Sequence, residues 1–275
     1  MELSQTIKLD VVYLADCLDK MRQLPDESVD LVYADPPYGS GLKARPYRHT
    51  DEMSYSDVWA SLGEYAAWMA PRIGQCRRLL RPTGSMYLQC DWHATHWLRM
   101  AMDDAFGAGQ FRNEIIWCVG GGYTKRSFRK AHDTILFYTK ANGYVFNSDA
   151  ARMPYSQKLM VHVRQDADGR SYYQDGHVKG GKTYLHPGGQ LPWDWWSDIP
   201  STIFSHGKDY TGYWGQKPVP LLERIVKASS NKGDTVLDPF CGSGTTLVAA
   251  KRLGRRYIGI DSSETAVRLS EGRLA

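Results

Sequence analysis

The chain alternates short apolar runs, typical of buried strands, with longer stretches in which apolar residues recur every three or four positions. The predicted strands are residues 11–16, 29–34, 85–90, 114–119, 134–138, 235–237 and 257–261. The predicted helices are residues 57–80, 93–105, 218–229, 245–253 and a last helix from about 263. Strands that alternate with helices predict an α/β fold, in which helices cover both faces of a mainly parallel sheet.

Two stretches interrupt this alternation. Residues 81–84, Arg-Pro-Thr-Gly, predict a break between a helix and a strand. Residues 141–213 are rich in glycine, aromatic and polar residues and have no clear period. So long an irregular stretch inside a compact domain indicates a functional insertion. We therefore predict three parts: a first core half at 1–140, an insertion at 141–213 and a second core half at 214–275.

Four aspartates follow or end predicted strands, namely Asp16, Asp35, Asp238 and Asp261. In open parallel sheets, ligands bind in the crevice beyond the carboxyl ends of the strands. The sequence therefore predicts that all four carboxylates face one crevice.

Composition narrows the class of protein. The 275 residues include 42% hydrophobic and 23% charged residues, which is ordinary globular usage and excludes a disordered chain. No apolar run approaches the length that crosses a bilayer, and the N-terminus lacks the pattern of a signal peptide. Five scattered cysteines without a Cys-x-x-Cys pair indicate neither a disulfide framework nor a metal site. We expect a soluble, cytoplasmic protein.

A glycine loop follows the predicted strand at 235–237. It reads Asp238-Pro239-Phe240-Cys241-Gly242-Ser243-Gly244-Thr245-Thr246 and leads into a helix, an arrangement that brings backbone N–H groups close to a ligand. A simple tight turn is the alternative. The loop lacks the lysine of a phosphate-binding loop and the glycine spacing of a dinucleotide fingerprint. Because Asp261 ends the next strand, where an acid binds ribose hydroxyls, a nucleoside cofactor without pyrophosphate is favoured, and S-adenosylmethionine (SAM) is such a cofactor.

Asp35-Pro36-Pro37-Tyr38 is the most specific motif, although Asp-Pro is also a common turn. With the glycine loop, and with Gln216-Lys217-Pro218 before a helix, it resembles the amino-methyltransferases of DNA, which methylate adenine N6 or cytosine N4. The catalytic loop precedes the cofactor loop, a circular order that resembles the β group of that family. Trp214-Gly215 departs from the proline and small polar residue that many relatives have before this motif.

The resemblance implies a SAM-dependent, Rossmann-like methyltransferase core with a recognition insertion. Asp35 and the Pro36 carbonyl would accept hydrogen bonds from the target amine, Pro37 would make the loop rigid, and Tyr38 would stack on a flipped base. Aspartate at position 35 favours adenine N6, and cytosine N4 is the alternative. A non-catalytic DNA-binding protein and a nicotinamide-dependent dehydrogenase are further hypotheses, which the two intact motifs and the glycine spacing disfavour.

The resemblance also implies a set of cofactor residues. Asp16 would bind the adenine amino group with Cys17 beside it, Phe240 would lie near the adenine or the sulfonium, and Asp261 would bind the ribose. Lys217, Ser229 and Thr245 would bind the methionine carboxylate, with Asp238, Pro239, Gly242 and Gly244 completing the loop. A strand-end cap is the alternative role for Asp16, and a solvated helix start is the alternative for Lys217.

Positive charge is concentrated in one segment. Residues 121–185 hold eleven Lys/Arg and five Asp/Glu, a balance of +6, so with +4 for the whole chain the remainder carries −2. Such a segment indicates a surface that meets DNA phosphates, although any single cation can simply be solvated. The candidate DNA-binding residues are Lys43, Arg45, Arg48, Lys125, Arg126, Arg129 and Lys130.

The sequence also allows expectations about three tryptophans and about the binding partners. Trp193, Trp195 and Trp196 would either stack near bases or form a small core of the insertion, and the core is favoured. Double-stranded DNA is the expected partner, and no membrane is expected. The resemblance further implies a homodimer, and 275 residues leave no room for a nuclease domain, so any restriction endonuclease would be a separate chain.

Overall fold

The computed structural model describes residues 7–41, 57–121, 124–174, 181–202 and 209–275. The chain divides into two compact units. One unit consists of Met1–Phe146 and Asp194–Ala275 in their described parts, and the other is Asn147–Trp193. No helix in these described ranges is both long and apolar enough to cross a membrane.

The larger unit is an α/β structure. Its strands are β1 (Val11–Leu14), β2 (Val29–Ala34), β3 (Leu80–Cys90), β4 (Phe111–Cys118), β5 (His132–Thr139), β9 (Trp195–Trp196), β10 (Thr235–Asp238) and β11 (Arg256–Asp261). Its helices are α1 (Cys17–Arg22), α2 (Leu62–Leu79), α3 (Thr95–Phe106), α6 (Val219–Ser229), α7 (Thr245–Arg252) and α8 (Glu264–Leu274), with a short 3-10 turn at Ala108–Gln110.

The eight strands form one sheet in the order β1-β11-β10-β2-β3-β5-β4-β9. Every neighbouring pair is parallel except the two that involve β5. The prediction of a mainly parallel sheet is therefore confirmed. In this order β10, from the C-terminal part of the chain, lies beside β2, from the N-terminal part.

Both faces of the sheet are covered, as the sequence predicts. All six residues of β2 are buried, and alternate ones face opposite ways: Val32 and Ala34 join a core with residues of α1, α2 and α3. Leu31 and Tyr33 join a second core with residues of α6 and α7. A strand buried on both faces reads as a continuous apolar run, which is why the bounds of β2 agree with the prediction.

Helix α2 begins later than its apolar spacing predicts. The Ser61 hydroxyl accepts a hydrogen bond from the Glu64 amide at 3.1 Å, and the Glu64 carboxylate accepts one from the Ala60 amide at 2.8 Å. This reciprocal cap starts the helix at Leu62 rather than at Asp57. Asp57 is buried, and its carboxylate accepts hydrogen bonds from the amides of Gly39 and Ser40 at 2.6 and 3.1 Å.

Helix α2 ends at Leu79, as the predicted break at residues 81–84 requires, but these residues are the first part of β3 rather than a loop before it. The pairing of β2 with β3 changes register between Val29 and Leu31, so the segment is accommodated as an irregularity of the sheet. A Cβ at Gly84 would lie 2.8 Å from Leu80 Cδ2 and 2.9 Å from the Asp30 carbonyl oxygen, which explains the glycine.

The predicted insertion contains short regular elements that its sequence does not reveal. In the smaller unit these are α4 (Ser148–Ala151), α5 (Gln157–Met160) and an antiparallel sheet of β6 (Arg164–Gln165), β7 (Ser171–Gln174) and β8 (Lys182–Tyr184). Trp196 is buried in the core of the larger unit, whereas Trp193 and Trp195 are exposed. The expectation that the three tryptophans form a core of the insertion is therefore wrong.

Two glycines provide a paired test of this packing. We expect Gly84→Ala to lower the free energy of unfolding by about 1–3 kcal/mol, because backbone oxygen cannot move away from the new methyl group. Gly74 lies inside α2 with nothing within 4 Å of the position of a Cβ, so Gly74→Ala should raise stability by about 0.5–1 kcal/mol. Urea unfolding of both variants measures these changes, and equal effects would contradict the packing argument.

Candidate active site

A cleft of about 610 Å³ lies at the carboxyl ends of the parallel strands. Asp16, Asp35, Asp238 and Asp261 all line it, as the strand ends predict. The Asp-Pro-Pro-Tyr loop follows β2 and the glycine loop follows β10. Because β2 and β10 are adjacent and parallel, two loops that are distant in sequence share one cleft.

The Asp35 carboxylate accepts hydrogen bonds from two side chains. The Tyr38 hydroxyl donates to Oδ1 at 2.6 Å, and the Lys217 ammonium is paired with Oδ2. Both members of the ion pair are largely buried, with side chains 13% and 18% exposed, so water screens their attraction less than that of a surface pair. Lys217 also donates to the Gly215 carbonyl at 3.2 Å. The charged partner of Lys217 in this structure is the Asp35 carboxylate, so Lys217 is not simply a solvated helix start.

A second carboxylate, Asp133, lies beside this group at the start of β5. Gln89 donates to Asp133 Oδ2 at 2.8 Å, and the Tyr38 hydroxyl lies 3.4 Å from the same oxygen. The Tyr33 hydroxyl in turn donates to Gln89 Oε1 at 2.5 Å. Burial raises the pKa of Asp133; the positive charge of Lys217 opposes this rise, and the negative charge of Asp35 adds to it. Burial and the neighbouring carboxylates also raise the pKa of Tyr38, so its phenol stays protonated and able to donate.

Sequence reasoning misses Asp133, Gln89 and Tyr33. Their roles depend on the pairing of β3 with the antiparallel β5, which no local pattern reveals. The available signal is the position of Asp133 directly before the apolar run that predicts a strand at 134–138.

The glycine loop is shaped by close contacts. Gly242 and Gly244 have φ values of +50° and +74°, in the left-handed region that glycine adopts readily. A Cβ at Gly244 would lie 2.7 Å from Ser270 Oγ in α8, so this glycine is needed for packing, and it does not itself line the cleft. Asp261 accepts hydrogen bonds from the amides of Gly242 and Ser263 at 2.8 and 2.9 Å. Burial raises the pKa of Asp261, and these two bonds oppose the rise.

Asp238 is buried at the root of the glycine loop and accepts a hydrogen bond from the Phe240 amide at 3.0 Å. Burial raises its pKa to about 7, although a hydrogen bond from Thr246 opposes the shift. Pro239, Phe240 and Thr245 line the cleft beside it. The Thr245 hydroxyl accepts a hydrogen bond from Arg273 at 3.0 Å.

Asp16 has the capping role that the sequence leaves open. Its Oδ1 accepts hydrogen bonds from the amides of Leu18 and Asp19, which makes it the N-cap of α1, and its Oδ2 pairs with Arg72 at 2.8 Å. Partial burial opposes ionisation, but the Asp19 amide and the Arg72 guanidinium together hold the pKa of Asp16 below its ordinary value. Cys17 beside it is buried and lines the cleft.

The structure does not bring every predicted residue to the cleft. Ser229 is buried in α6, where its hydroxyl bonds to that of Tyr87 at 2.7 Å, and it is not among the residues that line the cleft. The structure thus corrects its expected contact with the methionine carboxylate. Lys125, Arg126, Arg129 and Lys130 are exposed, as a DNA contact requires. Lys43, Arg45 and Arg48 lie outside the described residues.

The residues of the cleft fit SAM. Aromatic surface comes from Phe240 and Trp68, whose ring centroids lie 6.0 Å apart. The Trp59 indole Nε1 is buried with no hydrogen-bond partner among the described residues, which leaves a donor for a ligand. Several carboxylates provide negative charge for a cationic sulfonium, and the volume exceeds the lower bound of ordinary ligand sites.

Comparison with known proteins identifies the family. The profile of the N6-adenine/N4-cytosine DNA methylase family matches residues 29–272, nearly the whole chain. The chain belongs to this family. The resemblance read from the two loops is confirmed. The DNA adenine methyltransferase YhdJ of Escherichia coli is 30% identical over 94% of this chain and 80% of its own length. The type II methyltransferase M.BglII of Bacillus subtilis is 31% identical over 92% of this chain, which spans only 65% of that relative.

Solved structures confirm the fold of this family member. The cytosine-N4-specific PvuII DNA methyltransferase matches with a TM-score of 0.63 and 17% identity, over 96% of this chain and 86% of its own. A DNA modification methylase of Thermus thermophilus, TTHA0409, in complex with S-adenosyl-L-methionine, matches with a TM-score of 0.59 and 21% identity, over 96% and 92% of the two chains. The predicted Rossmann-like methyltransferase fold is confirmed.

The raised pKa of Asp238 predicts a pH-dependent stability. In the folded protein this carboxyl holds its proton up to about pH 7, whereas an unfolded aspartate loses it near 3.8. The resulting stabilisation is complete below about pH 4 and is lost as the pH rises to 7. Between pH 5 and pH 8, the free energy of unfolding should therefore fall less for Asp238→Asn than for the wild type. Urea titrations at each pH measure this difference. Asp19→Asn, an exposed control, should keep the wild-type profile, and a wild-type profile for Asp238→Asn would contradict the argument.

Proposed function

We propose that this chain is a SAM-dependent DNA methyltransferase that methylates the N6 amino group of adenine in a flipped-out base. The observation that carries the proposal is the shared cleft, in which the Asp35 carboxylate and the glycine loop face the same space. An acceptor for an amine and a cradle for a nucleoside cofactor are the two parts that amine methylation needs.

The target amine requires help because its lone pair is delocalised into the base. Asp35 and Pro36 both line the cleft. In the proposed complex, the Asp35 carboxylate and the Pro36 carbonyl each accept one N–H of the amine. Two acceptors on one side favour a pyramidal nitrogen with its lone pair directed away from them, towards the methyl donor. The carboxylate also stabilises the positive charge that develops on nitrogen.

Lys217 and Tyr38 hold Asp35 ready for this role. The ammonium pairs with Oδ2, and the phenol donates to Oδ1, so both contacts fix the orientation of the carboxylate. The Asp133 carboxylate lies beside the Tyr38 hydroxyl, and Gln89 in turn donates a hydrogen bond to Asp133. The amine gains a methyl group and loses a proton, which passes to solvent after transfer, so Asp35 acts by hydrogen bonding rather than as a permanent base. Tyr38 is further proposed to stack on the base, which must leave the duplex to enter a cleft.

The cofactor supplies an electrophilic methyl group on a sulfonium. We propose that Phe240 packs against it, that Asp261 binds its ribose, and that Asp16 with Cys17 lies at its adenine. Thr245 and Lys217 are the candidates for binding its carboxylate. The Lys217 ammonium would then interact with both this carboxylate and Asp35. The SAM bound in the solved structure of TTHA0409 supports this choice of cofactor.

Adenine is favoured over cytosine by two observations. Aspartate begins the catalytic loop, and the relative YhdJ, at 30% identity, is a DNA adenine methyltransferase. Cytosine N4 is the second candidate, because the chemistry at the amine is the same and the PvuII enzyme, which is cytosine-N4-specific, shares the fold.

Nucleoside analysis distinguishes the two candidates. DNA from cells that express the protein should contain N6-methyladenine, and digestion to nucleosides followed by mass spectrometry measures it. Cells that express Asp35→Ala provide the background. N4-methylcytosine alone would contradict the adenine assignment, and neither base, together with no transfer from labelled SAM, would contradict enzymatic activity.

Two cleft variants separate chemistry from cofactor binding. Asp35→Ala should lower methyl transfer at least about a hundredfold while SAM binding persists, since Asp35 contacts the base. Asp261→Ala should instead weaken SAM binding first, because its carboxylate serves the cofactor and holds the Gly242 amide. Calorimetric titration with SAM and initial rates with labelled SAM measure both effects. Turnover of Asp35→Ala at the wild-type rate would overturn the role proposed for this residue.

A further inference from the structure

Phe128 lies in an exposed turn between β4 and β5. Its side chain is 98% exposed, and all residues from Lys125 to Lys130 are exposed. The Thr124 hydroxyl donates to the Ser127 carbonyl and closes the turn. Single exposed apolar residues are common, so the exposure alone indicates nothing.

The charge around Phe128 restricts the possible partner. Four cations, Lys125, Arg126, Arg129 and Lys130, flank the ring within the hexapeptide Lys-Arg-Ser-Phe-Arg-Lys, which contains no acid. Among the described ion pairs of the protein, none involves these four side chains. A bare aromatic ring between such cations matches a polyanion that also offers apolar surface, as stacked bases between phosphates do.

The topology places this turn beside the cleft. Strand β5 runs antiparallel to β3, so its first residues lie at the edge of the sheet where β3 ends. The β4–β5 ladder extends to the pair Cys118 and His132 and continues with the bond from the Val119 amide to the Ala131 carbonyl at 3.0 Å. Val119 and Asp133, on the two arms of the hairpin, both line the cleft.

Side-chain contacts attach the turn to the rim of the cleft. The Lys130 ammonium lies 3.3 Å from the centroid of the Trp92 ring, and that ring lies 3.6 Å from the His93 ring. His93 is bonded to Asp91 at 2.7 Å, and both line the cleft. The contacts thus run from the basic turn to the site where the target base is processed.

We propose that Phe128 is the wedge that enters the DNA duplex and fills the space left by the flipped target base. This inference rests on the proposed function, since only an enzyme that extrudes a base needs such a wedge. Apolar side chains inserted between base steps compensate for lost stacking, and the flanking cations hold the adjacent phosphates. An anionic membrane surface also attracts aromatic and basic side chains, but it does not explain the position of the turn at the rim of the cleft.

The test compares matched and mismatched duplexes that carry the site found by methylation-aware sequencing. Extrusion from a mismatch costs less, so a wedge matters less there. Phe128→Ala should lower kcat/KM on the matched duplex at least about tenfold, and a mismatch opposite the target base should restore it to within about threefold of the wild type. Phe128→Trp should retain most activity, since it keeps a stacking ring.

Variants of the same turn are the controls. Ser127→Ala should behave as the wild type, because it leaves both the ring and the carbonyl that closes the turn. Arg126→Ala and Arg129→Ala should weaken binding to matched and mismatched duplexes equally and flatten the salt dependence. A Phe128→Ala variant with wild-type kcat/KM on the matched duplex, or with a loss that the mismatch does not relieve, would overturn the wedge.

Two further measurements separate this inference from the proposed function. If the wild type transfers no methyl group, the proposed function fails and the wedge, which depends on it, fails too; if a site is methylated, binding to that site tests the wedge alone. Fluorescence anisotropy should show that Phe128→Ala loses more affinity for the matched duplex than for one with a mismatch opposite the target base; equal losses would overturn the wedge. Sedimentation with phosphatidylserine vesicles tests the membrane: loss of vesicle binding in Phe128→Ala, with DNA binding intact, would also overturn the wedge.

Discussion

The parallel pairing of β2 with β10 is the interaction on which the site depends. Asp30 stabilises it from the opposite end of these strands: its carboxylate accepts a hydrogen bond from the Thr235 amide at 2.8 Å and one from Arg81 at 2.6 Å. One largely buried side chain thereby connects β2, β10 and β3. Without this adjacency, the Asp-Pro-Pro-Tyr loop and the glycine loop would lie at different places along the sheet. They would then not share one cleft, and neither loop alone forms the site.

The same adjacency creates an electrostatic problem, because it gathers carboxylates in a partly buried space. Burial raises the pKa values of Asp133 and Asp238, and the negative charge of Asp35 raises both further. Lys217 enters from the segment before α6 and pairs with Asp35, so the carboxylate that we propose to bind the target amine has a counter-charge. Asp238 instead has a pKa raised to about 7 by its burial, which suits a structural role at the root of the loop.

Local sequence determines some of these features and leaves others open. The bounds of β2 follow from a fully buried run stopped by two prolines, and the shared crevice follows from aspartates at strand ends. The start of α2 does not follow, because apolar spacing continues through residues that Ser61 and Glu64 exclude from the helix. The contacts of Ser229 and Asp133 do not follow from local sequence either. Ser229 bonds to Tyr87 and Asp133 to Gln89, both on β3, and only the strand order brings these residues together.

The acidity of the cleft also explains how a cationic ligand would be held there without a dedicated anionic clamp. Burial raises the pKa values of Asp133, Asp238 and Asp261, so each carboxyl is costly to ionise when no cation is near. A sulfonium in the cleft lowers that cost, so its binding is expected to release a proton from Asp238, whose pKa is about 7. The attraction is long-range and adds over several groups, so no single acid has to touch the charge. The product of SAM has lost the methyl group and with it the positive charge. The negative potential of the cleft therefore attracts this product less than it attracts SAM.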